Sequence, residues 1–156
     1  MKQVCVQTKY RSLIGSLYLV SSANGLVGLY WKKQLVPLVK PSPDNFFNQT
    51  IQELEEYFQG KRTTFTVPLD LRGTEFQKSV WRQLQKIPYG TTATYAEIAK
   101  KIKRPKAVRA VGAANGKNPL CVLVPCHRVI GSNGSLTGFS GGLKIKQKLL
   151  DLEYEK

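Results

Sequence analysis

Two capping boxes organise the second half of this chain. Thr74-Glu75-Phe76-Gln77 and Thr94-Tyr95-Ala96-Glu97 each set a threonine hydroxyl ahead of a Gln or Glu at the start of an apolar periodicity. That arrangement satisfies two otherwise orphaned backbone N–H groups and starts a helix. The first box opens a helix with Phe76, Val80, Trp81, Leu84 and Ile87 on its apolar face, ended by Pro88-Tyr89-Gly90. The second opens a short helix with Tyr95, Ile98, Ala99 and Ile102 as its periodic positions. Lys103-Arg104-Pro105-Lys106 breaks it, since proline lacks an N–H and disfavours a helical residue before it. Ala107 to Asn115 reads as another helix, rich in small residues, with Gly116 as its stop. Two short helices around a tight turn make a helix-turn-helix pattern, in which the second helix is the one presented to a groove.

The first half has a different grammar. Residues 2–8 alternate as a strand does, and runs over 14–20 and 26–31 flank Ser22-Ala23-Asn24-Gly25, a hairpin signal. Asp44, after Pro41-Ser42-Pro43, reads as the N-cap of a helix with Phe47, Ile51, Leu54 and Phe58 on one face and Gly60 as its end. Thr64–Val67 reads as a further strand. The expected class is α+β: a small antiparallel sheet with one helix, then a mostly helical part. A boundary near Arg72-Gly73 separates residues 1–73 from 74–156.

Charge narrows the partner. The net charge is +14. Residues 1–73 hold 9 Lys/Arg against 5 Asp/Glu, while residues 74–156 hold 15 against 5. Most of the field that would attract a polyanion therefore belongs to the second half. Lys100, Lys101, Lys103, Arg104, Lys106 and Arg109 crowd the turn and the second helix, suited to phosphate contacts. That helix offers Ala107, Ala110, Gly112, Ala113 and Ala114, small residues that permit close approach without reading bases. Packing against a neighbouring helix is the competing explanation for them. The N-terminus lacks a signal-peptide pattern and no run is long and apolar enough for a membrane span, so a cytoplasmic protein is expected. Three cysteines, Cys5, Cys121 and Cys126, form no disulfide framework and point to a reducing compartment. With one histidine they offer no metal-ligand spacing, so no metal is expected.

Chemistry concentrates in Pro125-Cys126-His127-Arg128-Val129. A thiolate is a strong nucleophile, and a neighbouring base raises its fraction at neutral pH. In an extended segment adjacent side chains face opposite ways, so a water is the natural link from Cys126 to His127. Taken alone, the motif fits a buried structural cysteine at least as well. Tyr95 beside the basic turn is either a core aromatic or a DNA contact. Asn118-Pro119, leading into the apolar run 120–124 read as a short strand, is either turn chemistry or a brace for the loop below the sulfur.

Together these residues resemble the O6-alkylguanine-DNA alkyltransferases, or methylated-DNA–protein-cysteine methyltransferases. The resemblance runs through Phe76 and Trp81, Pro88-Tyr89-Gly90-Thr91, Thr94-Tyr95, Arg109-Ala110-Val111-Gly112, Asn118-Pro119, Pro125 to Gly131, Gly138-Phe139-Ser140-Gly141-Gly142 and Leu149-Leu150 to Glu153. It covers nearly all of residues 74–153 in order. It implies a ribonuclease-H-like α/β structural domain over 1–73. Residues 74–156 would form a DNA-binding and catalytic domain of winged-helix, helix-turn-helix type.

The implied reaction is single-turnover transfer of an alkyl group from O6 of guanine, and from O4 of thymine, in DNA to Cys126. By resemblance, His127 takes the thiol proton through water, Glu153 orients the imidazole, and Asn118 holds the loop. Tyr95 donates to the departing guanine, Ser140 and nearby amides contact O6, and the carbonyls of Cys126 and Val129 accept from the exocyclic amine. Arg109 fills the space left by a flipped base, and Ala107, Ala110 and Gly112 line a helix entering the minor groove, with Arg128 counted among the substrate- and DNA-binding residues. Phe139 stands where the family commonly has tyrosine. Some relatives bind zinc in the first domain, but Cys5 has no partners for it. No cofactor is implied, because the damaged base is itself the alkyl donor. The implied partner is double-stranded DNA carrying alkylated bases, met by a monomer near the nucleoid in a prokaryote, with cooperativity on DNA left open.

Other readings compete. A non-catalytic binder of alkylated DNA would lack the cysteine. A helix-turn-helix regulator with a redox cysteine would carry base-reading side chains on its second helix. A cysteine hydrolase using Cys126, His127 and Glu153 would turn over repeatedly without DNA.

Overall fold

The computed structural model describes residues 4–154. Within them the chain forms two compact units, divided between Arg72 and Gly73. The architecture is α+β, with an antiparallel sheet in the first unit and mostly helices in the second.

In the first unit β1 (Val6–Ser12), β2 (Gly15–Ser22) and β3 (Gly25–Tyr30) form an antiparallel sheet in the order β1-β2-β3. Ser12 pairs with Gly15 and Ser22 with Gly25, so two tight hairpins set the register. Gly25 is required: a Cβ there would lie 2.6 Å from the Pro68 carbonyl oxygen. Residues 2 and 3 of the run read as a strand over 2–8 lie outside the described residues, and β1 itself starts at Val6 and runs on to Ser12. Strands β2 and β3 bury Leu17, Leu19, Leu26 and Leu29, with an irregularity in their pairing between Val20 and Ser21. Helix α1 (Phe47–Phe58) adds Phe47, Leu54 and Tyr57 to this core. Each fully buried large apolar side chain contributes roughly 1.5–3 kcal/mol.

Two local expectations change. Asp44 does not cap α1. Ser42 instead caps a 3-10 turn over Pro43–Asn45, and α1 follows Phe46, which sits in the left-handed region at φ 68°. Thr64–Val67 is not a strand, because its amides have another acceptor. Thr66 and Val67 N–H donate to Glu53 Oε1 at 2.9 and 3.2 Å, and the Thr66 hydroxyl donates to Oε2 at 2.7 Å. Burial alone would raise the Glu53 pKa, but these bonds and one from Gln49 outweigh it and hold the carboxyl low.

The second unit contains α2 (Glu75–Leu84), β4 (Ala93–Thr94), α3 (Tyr95–Lys101), α4 (Val108–Gly116), β5 (Val129–Ile130) and α5 (Leu143–Tyr154). Both capping boxes form: Thr74 with Gln77 starts α2, and Thr94 with Glu97 starts α3. Trp81 packs α2 onto α4, its indole N–H donating to the Ala114 carbonyl at 2.9 Å. The α3–α4 turn passes through Lys103 at φ 63°, a left-handed residue that ends the first helix. Gly116, read as a stop, forms the last residue of α4. Strands β4 and β5 pair in parallel, Ala93 with Val129 and Thr94 with Ile130. This pairing had no periodic signal in so short a stretch. It ties the start of α3 to the chain just after His127. Among the described residues no helix is long and apolar enough to cross a membrane.

Candidate active site

The loop before Cys126 is folded by one side chain. Asn118 Nδ2 donates to the Val124 carbonyl at 2.8 Å, while its Oδ1 accepts from Leu120 N–H at 2.9 Å. Val124 N–H donates back to the Leu120 carbonyl at 2.8 Å. The apolar run 120–124 is therefore a buried turn and not a strand. Val122 at its apex has φ 76°, unfavourable for a β-branched residue and sustained by the burial of the whole run. The reversal brings Cys121 back toward Cys126, with the two sulfurs 3.9 Å apart.

Cys126, His127 and Arg128 occupy a 3-10 turn, not the extended backbone expected from the motif, and all three are buried. His127 Nε2 lies 2.6 Å from Glu153 Oε2. Arg128 forks onto the same carboxylate, Nε to Oε1 at 2.7 Å and Nη2 to Oε2 at 3.0 Å, and donates through Nη1 to the Ile87 carbonyl at 2.8 Å. Gly90 N–H adds a bond to Oε1 at 3.3 Å. A carboxylate accepting that many donors is acceptor-only, so His127 Nε2 carries the proton it donates. His127 Nδ1, buried and without a hydrogen-bond partner among the described residues, then holds the basic lone pair. Burial pushes the imidazole below its usual pKa, against the pull of Glu153, which keeps it neutral and able to accept a proton.

The Cys126 thiol donates toward the Cys121 sulfur, and that bond together with burial pushes it well above the usual thiol value. Asn118 and the Lys146 ammonium pull in the opposite direction. The resting sulfur is thus protonated, and it needs a base to become a nucleophile. Cys121 Sγ in turn lies 3.1 Å from the Ser140 hydroxyl.

Loop 131–142 closes one side of the site and is pinned from beneath. Lys146 of α5, with its residue buried, donates to the carbonyls of Val129 at 2.6 Å and Thr137 at 2.7 Å. Half-buried Tyr95 holds the same loop, its hydroxyl 2.9 Å from Thr137 Oγ1 and 3.2 Å from the Thr137 carbonyl oxygen. Phe139 is buried and Ser140 exposed. On α4, Arg109 and Ala110 are exposed and Gly112 is half-buried, as is Ala107 at the N-cap; a Cβ on Gly112 would lie 3.9 Å from the Tyr95 ring. Of the residues singled out from the sequence, Cys126, His127, Glu153, Asn118, Val129 and Arg128 thus gather in one buried cluster. Arg128 lies inside it and not on a surface. Arg109, Ala107 and Ala110 stand apart on the helix-turn-helix. Among the described residues no group of three His, Cys, Asp or Glu is placed to hold a metal ion.

Residues 75–155 match the family model of the 6-O-methylguanine DNA methyltransferase DNA-binding domain, and residues 5–71 match that of its ribonuclease-like domain. The chain belongs to the 6-O-methylguanine DNA methyltransferase family. Within this family it is 50% identical over 148 residues to the methylated-DNA–protein-cysteine methyltransferase of Methanosarcina acetivorans, covering 92% of this chain and 95% of that one. The crystal structure of the Mycobacterium tuberculosis O6-methylguanine methyltransferase superposes with a TM-score of 0.90 at 42% identity, over 97% of this chain and 94% of that one. The Mycobacterium tuberculosis OGT in complex with DNA gives 0.89 at 44% identity, over 96% and 93%.

Sequence reasoning about this family member passed over two groups in the cluster. Lys146 stands on α5 at helical spacing with Leu149 and Glu153, so a charged residue shares the apolar face; that spacing was the available signal. Cys121 lies five residues before Cys126, and only the left-handed turn at Val122 makes them neighbours.

Proposed function

We propose that this protein repairs DNA by direct reversal, taking an alkyl group from O6 of guanine onto Cys126 in a single turnover. The observation that carries the reading is the His127–Glu153 pair: a buried neutral imidazole with its Nε2 proton committed and Nδ1 unpartnered, adjacent in sequence to a protonated buried thiol. A water between Nδ1 and the sulfur passes the thiol proton to His127. The thiolate attacks the alkyl carbon in line, the S–C bond forms and the C–O6 bond breaks. Guanine leaves with a proton delivered by the Tyr95 hydroxyl. The proton held on His127 returns through solvent to the Tyr95 oxygen, so that overall one proton moves from sulfur to guanine and one alkyl group moves from guanine to sulfur. The thioether has no return path, so the protein is consumed.

Access requires the base to leave the stack, at a cost of a few kcal/mol, roughly, and least for a damaged pair. Arg109, exposed on α4, fills the vacated space, and Ala107, Ala110 and Gly112 let that helix approach the minor groove closely. A regulator reading sequence would present amides or guanidinia along α4; apart from Arg109, its exposed residues are Val108, Ala110, Ala113 and Gly116, none of which carries a base-reading group. Ser140 and the Val129 carbonyl contact the base, Phe139 supplies an apolar wall, Asn118 keeps the loop folded, and Arg128 holds Glu153. Residues 1–73 serve as a structural domain and 74–156 as the DNA-binding and catalytic domain. O4 of thymine is a second proposed donor. The protein acts as a monomer on double-stranded DNA in the cytoplasm.

Incubation with duplex DNA carrying O6-methylguanine tests the reading. The expected result is one methyl on the Cys126 peptide and one lesion removed per protein molecule. Multiple turnovers, or removal by a Cys126→Ala variant, would overturn it.

A further inference from the structure

Cys121 has no part in the alkyl transfer, yet it is the nearest sulfur to the acceptor. Both thiols are free and buried, 3.9 Å apart, with Cys126 donating toward Cys121. The approach is built in: Asn118 clamps both sides of the loop, and Val122 takes a left-handed conformation costly for valine to turn Cys121 inward. The Ser140 hydroxyl at 3.1 Å holds the second sulfur in place.

We propose that Cys121 and Cys126 form a reversible disulfide under peroxide, a modification site that shelters the acceptor sulfur; this rests on the alkyl-acceptor reading of Cys126. The sulfurs need to close by about 2 Å to reach bonding distance, a motion two χ1 rotations can share. The chemistry balances. Hydrogen peroxide oxidises one thiol to a sulfenic acid and leaves as water. The other thiol's sulfur attacks that sulfenic sulfur, an S–S bond forms, and hydroxide leaves as a second water after taking the thiol proton. Two thiols lose two electrons in all, and peroxide gains them. The geometry favours Cys121 as the first to react: its sulfur accepts from Cys126 and lies 3.1 Å from the Ser140 hydroxyl, and these bonds, that from Cys126 first, outweigh burial and lower its pKa. A protein used once gains from this arrangement: the disulfide stops oxidation at a reversible rung, where a lone Cys126 would proceed to sulfinic acid and be lost.

The experiment treats the full chain, carrying Cys5→Ser to remove the third thiol, with hydrogen peroxide, and then with a dithiol. Alkyl uptake from O6-methylguanine duplex DNA is measured at each stage, beside peptide mass spectrometry without reduction. The expected result is a single peptide holding both Cys121 and Cys126, internally linked and about 2 Da lighter than its dithiol form, with loss of alkyl uptake and recovery of most of it with dithiol. In Cys121→Ser, compared with its own untreated level, peroxide should add about 32 Da at Cys126 and the dithiol should recover little. Absence of the linked peptide, or equal recovery in the two proteins, would overturn the proposal. If the untreated protein takes no methyl while the linked peptide still forms, the alkyltransferase reading fails and the redox pair stands.

Discussion

Glu153 Oε2 sits 2.6 Å from His127 Nε2, and neither side chain reaches solvent. The same carboxylate neutralises the buried guanidinium of Arg128. Glu153→Gln therefore changes two things. The imidazole loses the charge that would stabilise its protonated form, and Arg128 is left as an unpaired buried cation. Breaking one partner of such a pair costs about 3–5 kcal/mol. We expect a loss of that order in urea denaturation and a slowing of single-turnover methyl transfer of at least tenfold. Unchanged transfer in a folded variant would count against the relay.

The His127 shift sets a pH profile. Its folded pKa lies below the usual 6.5, so between the folded and unfolded values the unfolded chain binds the extra proton. This contribution to stability is full above about pH 6.5 and declines as pH falls toward the folded pKa. The base stays available over that window. The transfer rate at saturating DNA should show no inflection at 6.5 and fall only at lower pH. A rate titrating at the ordinary histidine value would contradict the burial argument.

Lys146 holds the carbonyls of Val129 and Thr137 together. Lys146→Met keeps the apolar stem and leaves the buried Val129 carbonyl without its donor, costing roughly 1–3 kcal/mol, while the Thr137 carbonyl keeps the Tyr95 hydroxyl. Thermal denaturation should report that loss. Hydrogen exchange should quicken over 131–142 more than over α2. Uniform exchange would show that the lysine does not brace the loop.

Arg109 stands exposed on α4, outside the buried cluster. Arg109→Ala should slow repair of duplex DNA far more than reaction with a free O6-alkylguanine base. Equal slowing on both substrates would remove it from base flipping.

The Thr94 cap starts α3 at Tyr95, its hydroxyl accepting from Glu97 N–H at 3.1 Å. Thr94→Ala should cost about 1 kcal/mol. Because the cap also fixes where Tyr95 points, the transfer rate should fall as well; a stability loss alone would mean that β4–β5 pairing suffices to place the tyrosine.

Local signals were enough for the helices around the site. Capping boxes and apolar periodicity depend on neighbours within a few residues, which is why α2, α3 and α4 were legible from composition and spacing alone. The motif at Cys126 and its likeness to a known family identified the reacting sulfur. Where backbone amides found a distant acceptor, local reading failed: Glu53 took those of Thr66 and Val67, and Asn118 turned an apparent strand into a loop. Tertiary structure alone decided the rest. It put one carboxylate between His127 and Arg128, a lysine beneath the Val129 carbonyl, and a second sulfur beside the first. Those relations join residues far apart in the chain, or turned together by a strained backbone. Their stability comes from satisfying buried charge and hydrogen bonds, a constraint no single window of sequence contains.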